Sequence, residues 1–171
     1  MSSKNNDHEI PTMVRILPMD RKVEFSEYGD NIKRVQDQFF IKELPSRPDN
    51  LWQGKYRFRA EGMNAEPGTV VLFQYYGKVI ASAVLNNIDK SPQVEEGYYG
   101  AYFFDPSSIQ IFEPVSSDEM KLIWGDDFID SQGNKHKGFK RFGQAKIYLD
   151  PKKYSTFCSM LKSIRSAKIG S

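Results

Sequence analysis

Residues Pro67 to Asp89, PGTVVLFQYYGKVIASAVLNNID, decide how the chain is read. Pro67-Gly68 is a turn signal, and Thr69 to Tyr76 is a run of β-branched, aromatic and aliphatic residues. Gly77-Lys78 punctuates the run, and Val79 to Ile88 is a second one. Two short apolar runs split at a glycine predict a β-hairpin whose strands are buried on at least one face. Neither run has the recurrence at three and four residues that a helix needs.

Working outward, Tyr98 to Phe104 (YYGAYFF) and Ser108 to Phe112 (SIQIF) read as a third and a fourth strand, separated by the turn Asp105-Pro106-Ser107 and ended by Pro114. Lys90 to Gly97 between them reads as a polar loop. Ser117-Asp118-Glu119 opens a short helix holding Met120, Leu122 and Ile123. Asp126 to Gly143 is glycine-rich and charged, a loop by its composition, and Gln144 to Leu149 reads as a last strand. Asp150-Pro151 fits a helix cap with proline at the first helical position. The helix is expected to run to about Arg165, with Tyr154, Phe157, Cys158, Leu161 and Ile164 on one stripe.

On the N-terminal side, Met13 to Leu17 (MVRIL) is a strand candidate. Ile32, Val35, Phe39 and Phe40 recur at helical spacing and predict a helix near Asp30–Gln38. Leu51 to Ala60 (LWQGKYRFRA) alternates, with Lys55, Arg57 and Arg59 on one strand face and Tyr56 and Phe58 on the other. Three cations in a row fit either phosphate contacts or an edge strand that uses charge to avoid pairing.

The 171 residues are enough for one domain with one core, read as a disordered segment 1–12, a single domain 13–166 and a flexible end 167–171. No apolar run reaches the roughly 18 residues of a membrane helix, and no charged-then-apolar leader opens the chain, so a cytoplasmic protein is expected. The lone Cys158 cannot staple the fold and is expected to pack as a small hydrophobe. The net charge of +2 conceals a segregation: residues 133–171 hold ten Lys or Arg against the single acid Asp150, whereas residues 1–132 hold 14 bases and 21 acids. A basic last third fits an anionic partner, or equally a solvated helix face with an idle tail.

Taken together, the succession of hairpin, SSIQIFEPVS, short helix, strand and terminal helix resembles the PUA-like superfamily, the pseudobarrels that include EVE, ASCH, YTH and SRA-type domains. Pro67-Gly68, Val71-Leu72-Phe73 and Ala81-Ser82-Ala83 match its strand pair; Ile109, Ile111, Phe112 and Pro114 to Ser116 match the strand and turn that follow. The likeness covers roughly residues 51–165. It implies an α+β fold, a PUA-like β-barrel of about five to six strands flanked by helices. It also implies nucleic-acid binding, with a modified or flipped base of DNA held in a pocket, in some relatives as the sensing domain of a larger modification-dependent restriction endonuclease. RNA in place of DNA is the first alternative, and a protein-interaction domain with no nucleic-acid role is the second.

A flipped base needs rings to stack on, and its flanking strand needs cations for its phosphates. Under that resemblance Trp52, Tyr75, Tyr76, Tyr98, Tyr99 and Trp124 are the candidates for the base, with Lys55, Arg57, Arg59, Lys137, Lys140 and Arg141 for the backbone. For each ring the competing reading is core packing. Trp52 stands out because it precedes Gly54, where a backbone can approach closely. Catalysis is not expected. Glu119-Met120-Lys121 with Asp105 or Asp118 has the residue types of a metal-dependent nuclease site, but falls in a helix. His8 and His136 are far apart and one cysteine makes no zinc quartet. Asp126, Asp127 and Asp130 lack the spacing of an EF-hand loop, and no phosphate loop or nucleophile elbow occurs. No cofactor or metal is expected, and no membrane partner.

Overall fold

The computed structural model describes residues 10–19, 25–46, 54–58, 65–95, 98–125, 127–130, 135–137 and 147–167, with backbone course alone at 57–58, 90–95, 98–99, 127–130, 135–137 and 147–148. It is an α+β fold built on a mixed sheet. The hairpin is there: β3 (Val70–Tyr75) and β4 (Lys78–Glu95) pair antiparallel. The turn between them is Tyr76-Gly77, at φ of 53° and 77°. Two consecutive left-handed residues are the signature of the tight turn whose twist suits a two-residue hairpin. β1 (Val14–Pro18) lies parallel to β3, in register from Val14 opposite Val70 to Pro18 opposite Gln74.

β4 is the hub. Its first half pairs with β3 on one side and with β6 (Gln110–Val115) on the other. Its second half pairs with β5 (Tyr98–Phe104), which in turn pairs with β2 (Lys55–Phe58). Beyond β1 the sheet continues through β9 (Ile147–Leu149) and β7 (Asp127–Asp130) to β8 (Lys135–Lys137); β10 (Arg165–Ser166) closes the other side on β6. Among the described residues the strand path is therefore open, with β10 and β8 at its ends.

Both faces of the central strands are buried, and the period of two divides their side chains. Val71, Phe73 and Tyr75 of β3 enter one core, shared with Leu17, β4, β5 and the segment Phe25 to Leu44. Val70 and Leu72 enter the second, with Val14, Ile16, Phe112, Val115 and the helices α2 (Ser117–Trp124) and α3 (Tyr154–Met160). The first core is rich in rings: Phe25, Phe39, Phe40, Tyr56, Phe73, Tyr102 and Phe104 meet at centroid distances of 4.9–6.3 Å, mostly tilted or edge-on. Such geometry sets the positive edge of one ring against the negative face of the next.

Several expectations are corrected. The helix near Asp30–Gln38 is one turn of α1 (Ile32–Arg34) followed by a π-helix, Val35–Glu43, in which the amide of Leu44 donates to the carbonyl of Phe39. The wider turn brings Val35, Gln36, Phe39, Phe40 and Leu44 together on the buried side. The expected loop Lys90–Gly97 is strand as far as Glu95, since its backbone finds partners on β5 from Gly100 to Tyr98. The expected loop Asp126–Gly143 contains the pair β7 and β8. Pro114 does not end β6 but lies in it, at a bulge: Val79 pairs with Val115 and Ala81 with Ile111, so one residue of β4 faces three of β6. A strand proline is tolerated where the ladder asks for no N–H. The terminal helix stops at Met160 rather than near Arg165. Leu161 is extended, Ser163 takes φ of 55°, and the chain turns back to pair Arg165 with Ile111.

Candidate nucleic-acid interface

Among the candidate rings whose side chains are described, Tyr76 is the exposed one. The tight hairpin turn lifts it out of the sheet, and 48% of its surface is accessible, with exposed Lys78 two residues on. Those cations of the basic last third whose side chains are described are also on the surface. The Asp150 carboxylate accepts from the amide of Lys152 at 3.0 Å and so caps a turn, Pro151–Lys153, that leads into α3. Lys152 and Lys153 on that turn are exposed, as are Lys162 and Arg165 after the helix. Lys162 is tied to the sheet by its carbonyl, which accepts from the amide of Glu113 at 2.9 Å. Arg165 forms an ion pair with Asp37 of the π-helix.

Other candidates are placed differently. Tyr75 is fully buried, and its hydroxyl donates to the carbonyl of Gly29 with that of Phe25 3.3 Å away. Trp124 is 6% exposed, its ring centroid 5.6 Å from that of Phe157, and its indole N–H donates to the carbonyl of Asp150 at 2.9 Å. Both rings are enclosed by the cores they complete, so neither presents a face to a base. The expected cage of six rings is thus not assembled by these two. Lys55 is half-buried at the start of β2. The backbones of Tyr98, Tyr99, Arg57 and Lys137 run in β5, β2 and β8, with side chains outside the described residues. Trp52, Arg59, Lys140 and Arg141 also lie outside them.

Carboxylates that resembled a nuclease set have structural tasks. Ser116 accepts from the amide of Glu119, and Glu119 Oε1 accepts from the amide of Ser116 at 3.0 Å, the reciprocal capping box of α2. Asp105 Oδ1 accepts from the amide of Ser107 at 2.9 Å and from its hydroxyl at 2.7 Å, capping the turn into β6. Among the described residues no three His, Cys, Asp or Glu side chains converge as a metal site would require. No described helix is long and apolar enough to cross a membrane.

Three residues with structural weight are not apparent from the sequence. Gln36 is buried in the π-helix and bonds two strands. Arg15 is fully enclosed in β1, its Nη1 3.9 Å from the Met13 sulfur. Ser82 is 4% exposed in the middle of β4. The alternation of MVRIL, which puts Arg15 on a buried face, is the one available signal; Gln36 and Ser82 carry none. No protein-family model matches the chain, and no curated protein is similar to it in sequence.

Proposed function

We propose that the protein is a nucleic-acid-binding module, engaging DNA in preference to RNA, and that its sheet curls around the hub strand β4 in the manner of a PUA-like pseudobarrel. The observation that carries the reading is the charge segregation: ten bases against one acid in residues 133–171, with Lys152, Lys153, Lys162 and Arg165 all on the surface. Such a stretch attracts a polyanion, because each phosphate neutralised releases condensed counterions. Tyr76 offers an accessible ring for stacking on an unpaired or extruded base. Recognition of a modified base would add Trp52, Tyr98 and Tyr99 to that ring.

The test is fluorescence anisotropy with plain, methylated and hydroxymethylated oligonucleotides across a salt series. Affinity is expected to fall steeply from low to physiological salt. The triple variant Lys152→Glu, Lys153→Glu, Lys162→Glu should lower the slope of log affinity against log salt by roughly 0.9 for each duplex phosphate that the protein no longer neutralises. No binding to any single or double strand at low salt would overturn the proposal.

A second reading, a protein-interaction domain with no nucleic-acid role, is favoured by the enclosure of Tyr75 and Trp124, since aromatic content then serves the interior. The same experiment separates the two.

A further inference from the structure

A cleft of about 270 Å³ opens between α3 and the face of β3, β4 and β6 that α3 covers. Its walls include Val70, Leu161, the Tyr154 ring and the Cys158 side chain; its floor is the cross-strand pair Ser82 and Gln110. The space has a simple origin. Ser82 is a small residue set opposite Leu72 of β3, and α3 ends at Met160 before it can cover the floor.

Ser82 is the polar point of the floor. The residue is 4% exposed, its hydroxyl takes no hydrogen bond among the described residues, and it lines the cleft without being sealed from solvent. A hydroxyl met only by cleft water is open to a ligand atom, which would take that water's place. Ser108, the other serine of the lining, is already engaged: it accepts from the amide of Val84 at 2.7 Å and donates to the carbonyl of Asp105 at 2.7 Å. Among the described residues no Lys, Arg, Asp or Glu lines the cleft. Burial pushes the Tyr154 phenol and the Cys158 thiol upward, so both stay neutral at physiological pH.

We propose that this cleft is a binding site for a small uncharged ring compound, its body against Tyr154, Leu161 and Val70 and its polar edge on Ser82 and Gln110. The volume lies just below the roughly 300–1,000 Å³ of drug-sized pockets, which limits the ligand to one or two fused rings. A charged ligand would find no counter-charge among the described lining residues to replace its lost hydration. The proposal stands on the cleft alone and does not depend on nucleic-acid binding.

Cys158 in the wall supplies the assay. Its alkylation by iodoacetamide in the full native chain, located by peptide mass, is followed with and without millimolar 2-pyridone, a neutral ring with one donor and one acceptor on its edge. Protection of severalfold is expected, with none from benzoate, a charged ring of similar size. Ser82→Val should abolish the protection while leaving the unprotected rate close to that of the parent. Should Ser82→Val not fold, Gln110→Leu at the surface edge of the floor is expected to weaken the protection in the same sense. Leu161→Trp should fill the cleft, slowing alkylation and removing any further effect of 2-pyridone. No protection by 2-pyridone, equal protection by benzoate, or protection that survives in whichever of the two floor variants folds would each overturn the proposal.

Discussion

The side-chain amide nitrogen of Gln36 lies 2.9 Å from the carbonyl oxygen of Ile80, and its second hydrogen reaches the carbonyl of Phe112 at 2.7 Å. Ile80 stands at the bulge where β4 and β6 fall out of register. A bulge interrupts the ladder and leaves backbone groups to be satisfied from elsewhere. One buried amide from the π-helix therefore supplies two sheet carbonyls and pins the helical layer to both strands.

Replacing Gln36 by leucine keeps the volume and removes both donors. Two buried carbonyls would lose their partners, a cost of about 2–3 kcal/mol in urea unfolding. Gln36→Glu probes the same point by charge. A carboxylate would face two acceptors, so the glutamate should hold its proton in the folded state, with a folded pKa raised above the ordinary value of about 4.3. The folded protein then binds more protons than the unfolded, and stability should fall as pH rises from that unfolded value towards the raised folded one. A variant whose unfolding midpoint is flat across that window, or a leucine variant as stable as the parent, would refute the bridging role.

Gly54 is held against the end of β5. It sits at φ of 79°, its amide donates to the carbonyl of Leu44, and its carbonyl accepts from the amide of Phe104. A Cβ built there would lie 2.0 Å from the carbonyl oxygen of Phe104, which is backbone and cannot step aside. Gly54→Ala should combine left-handed strain with that clash and cost more than about 2 kcal/mol, separating β2 from β5. Circular dichroism melting checks it: a loss of only a few tenths would mean that β2 docks otherwise.

The hairpin was legible because its two runs are apolar and Gly77 divides them; the sequence puts the break at Gly77-Lys78, one residue late, because a left-handed tyrosine at Tyr76 carries no signal in the sequence. The ends of elements were not. Composition alone made Asp126–Gly143 a loop, yet β7 and β8 arise there by pairing with each other, and β7 pairs on to β9, which charge content does not report. The apolar stripe through Leu161 and Ile164 suggested helix beyond Met160; β10 prevails because backbone pairing with β6 satisfies groups that a longer helix would have left facing the sheet. The candidate site was read from residue types, and types do not separate an exposed ring from a buried one. Tyr75 and Tyr76 are adjacent, yet one is fully buried and the other half exposed.

Trp124 carries a test of that distinction. If its place is in the core, Trp124→Ala should cost about 3–5 kcal/mol through the cavity it leaves against Phe157. Trp124→Phe keeps most of the ring and loses the hydrogen bond to Asp150, whose carbonyl is on an exposed residue and can rehydrate, so the loss should be nearer 1 kcal/mol. Oligonucleotide affinity of the phenylalanine variant should match the parent. A drop in affinity with unchanged melting would put the indole at the interface instead.

Asp37 and Arg165 join the π-helix to β10, the last described strand. A hydrogen bond from the Arg165 guanidinium, with help from its charge and from Lys33, holds the Asp37 carboxyl below its usual value of 3.8. The folded pKa is depressed, so the contribution is fully present above the unfolded value and is lost as pH falls through the folded one. The carboxylate is about a third exposed, at 35%, so the pair should contribute no more than about 1 kcal/mol, and less in high salt. Arg165→Ala should therefore lower the midpoint slightly at neutral pH and not at all once pH lies well below 3.8. Because β10 makes only two residue pairings with β6, local opening should be more sensitive than the global midpoint. Hydrogen exchange at the amide of Ala167, which donates to the carbonyl of Ile109, should quicken in Arg165→Ala at neutral pH and converge with the parent in acid. Equal exchange at neutral pH would show that the ion pair does not hold the strand.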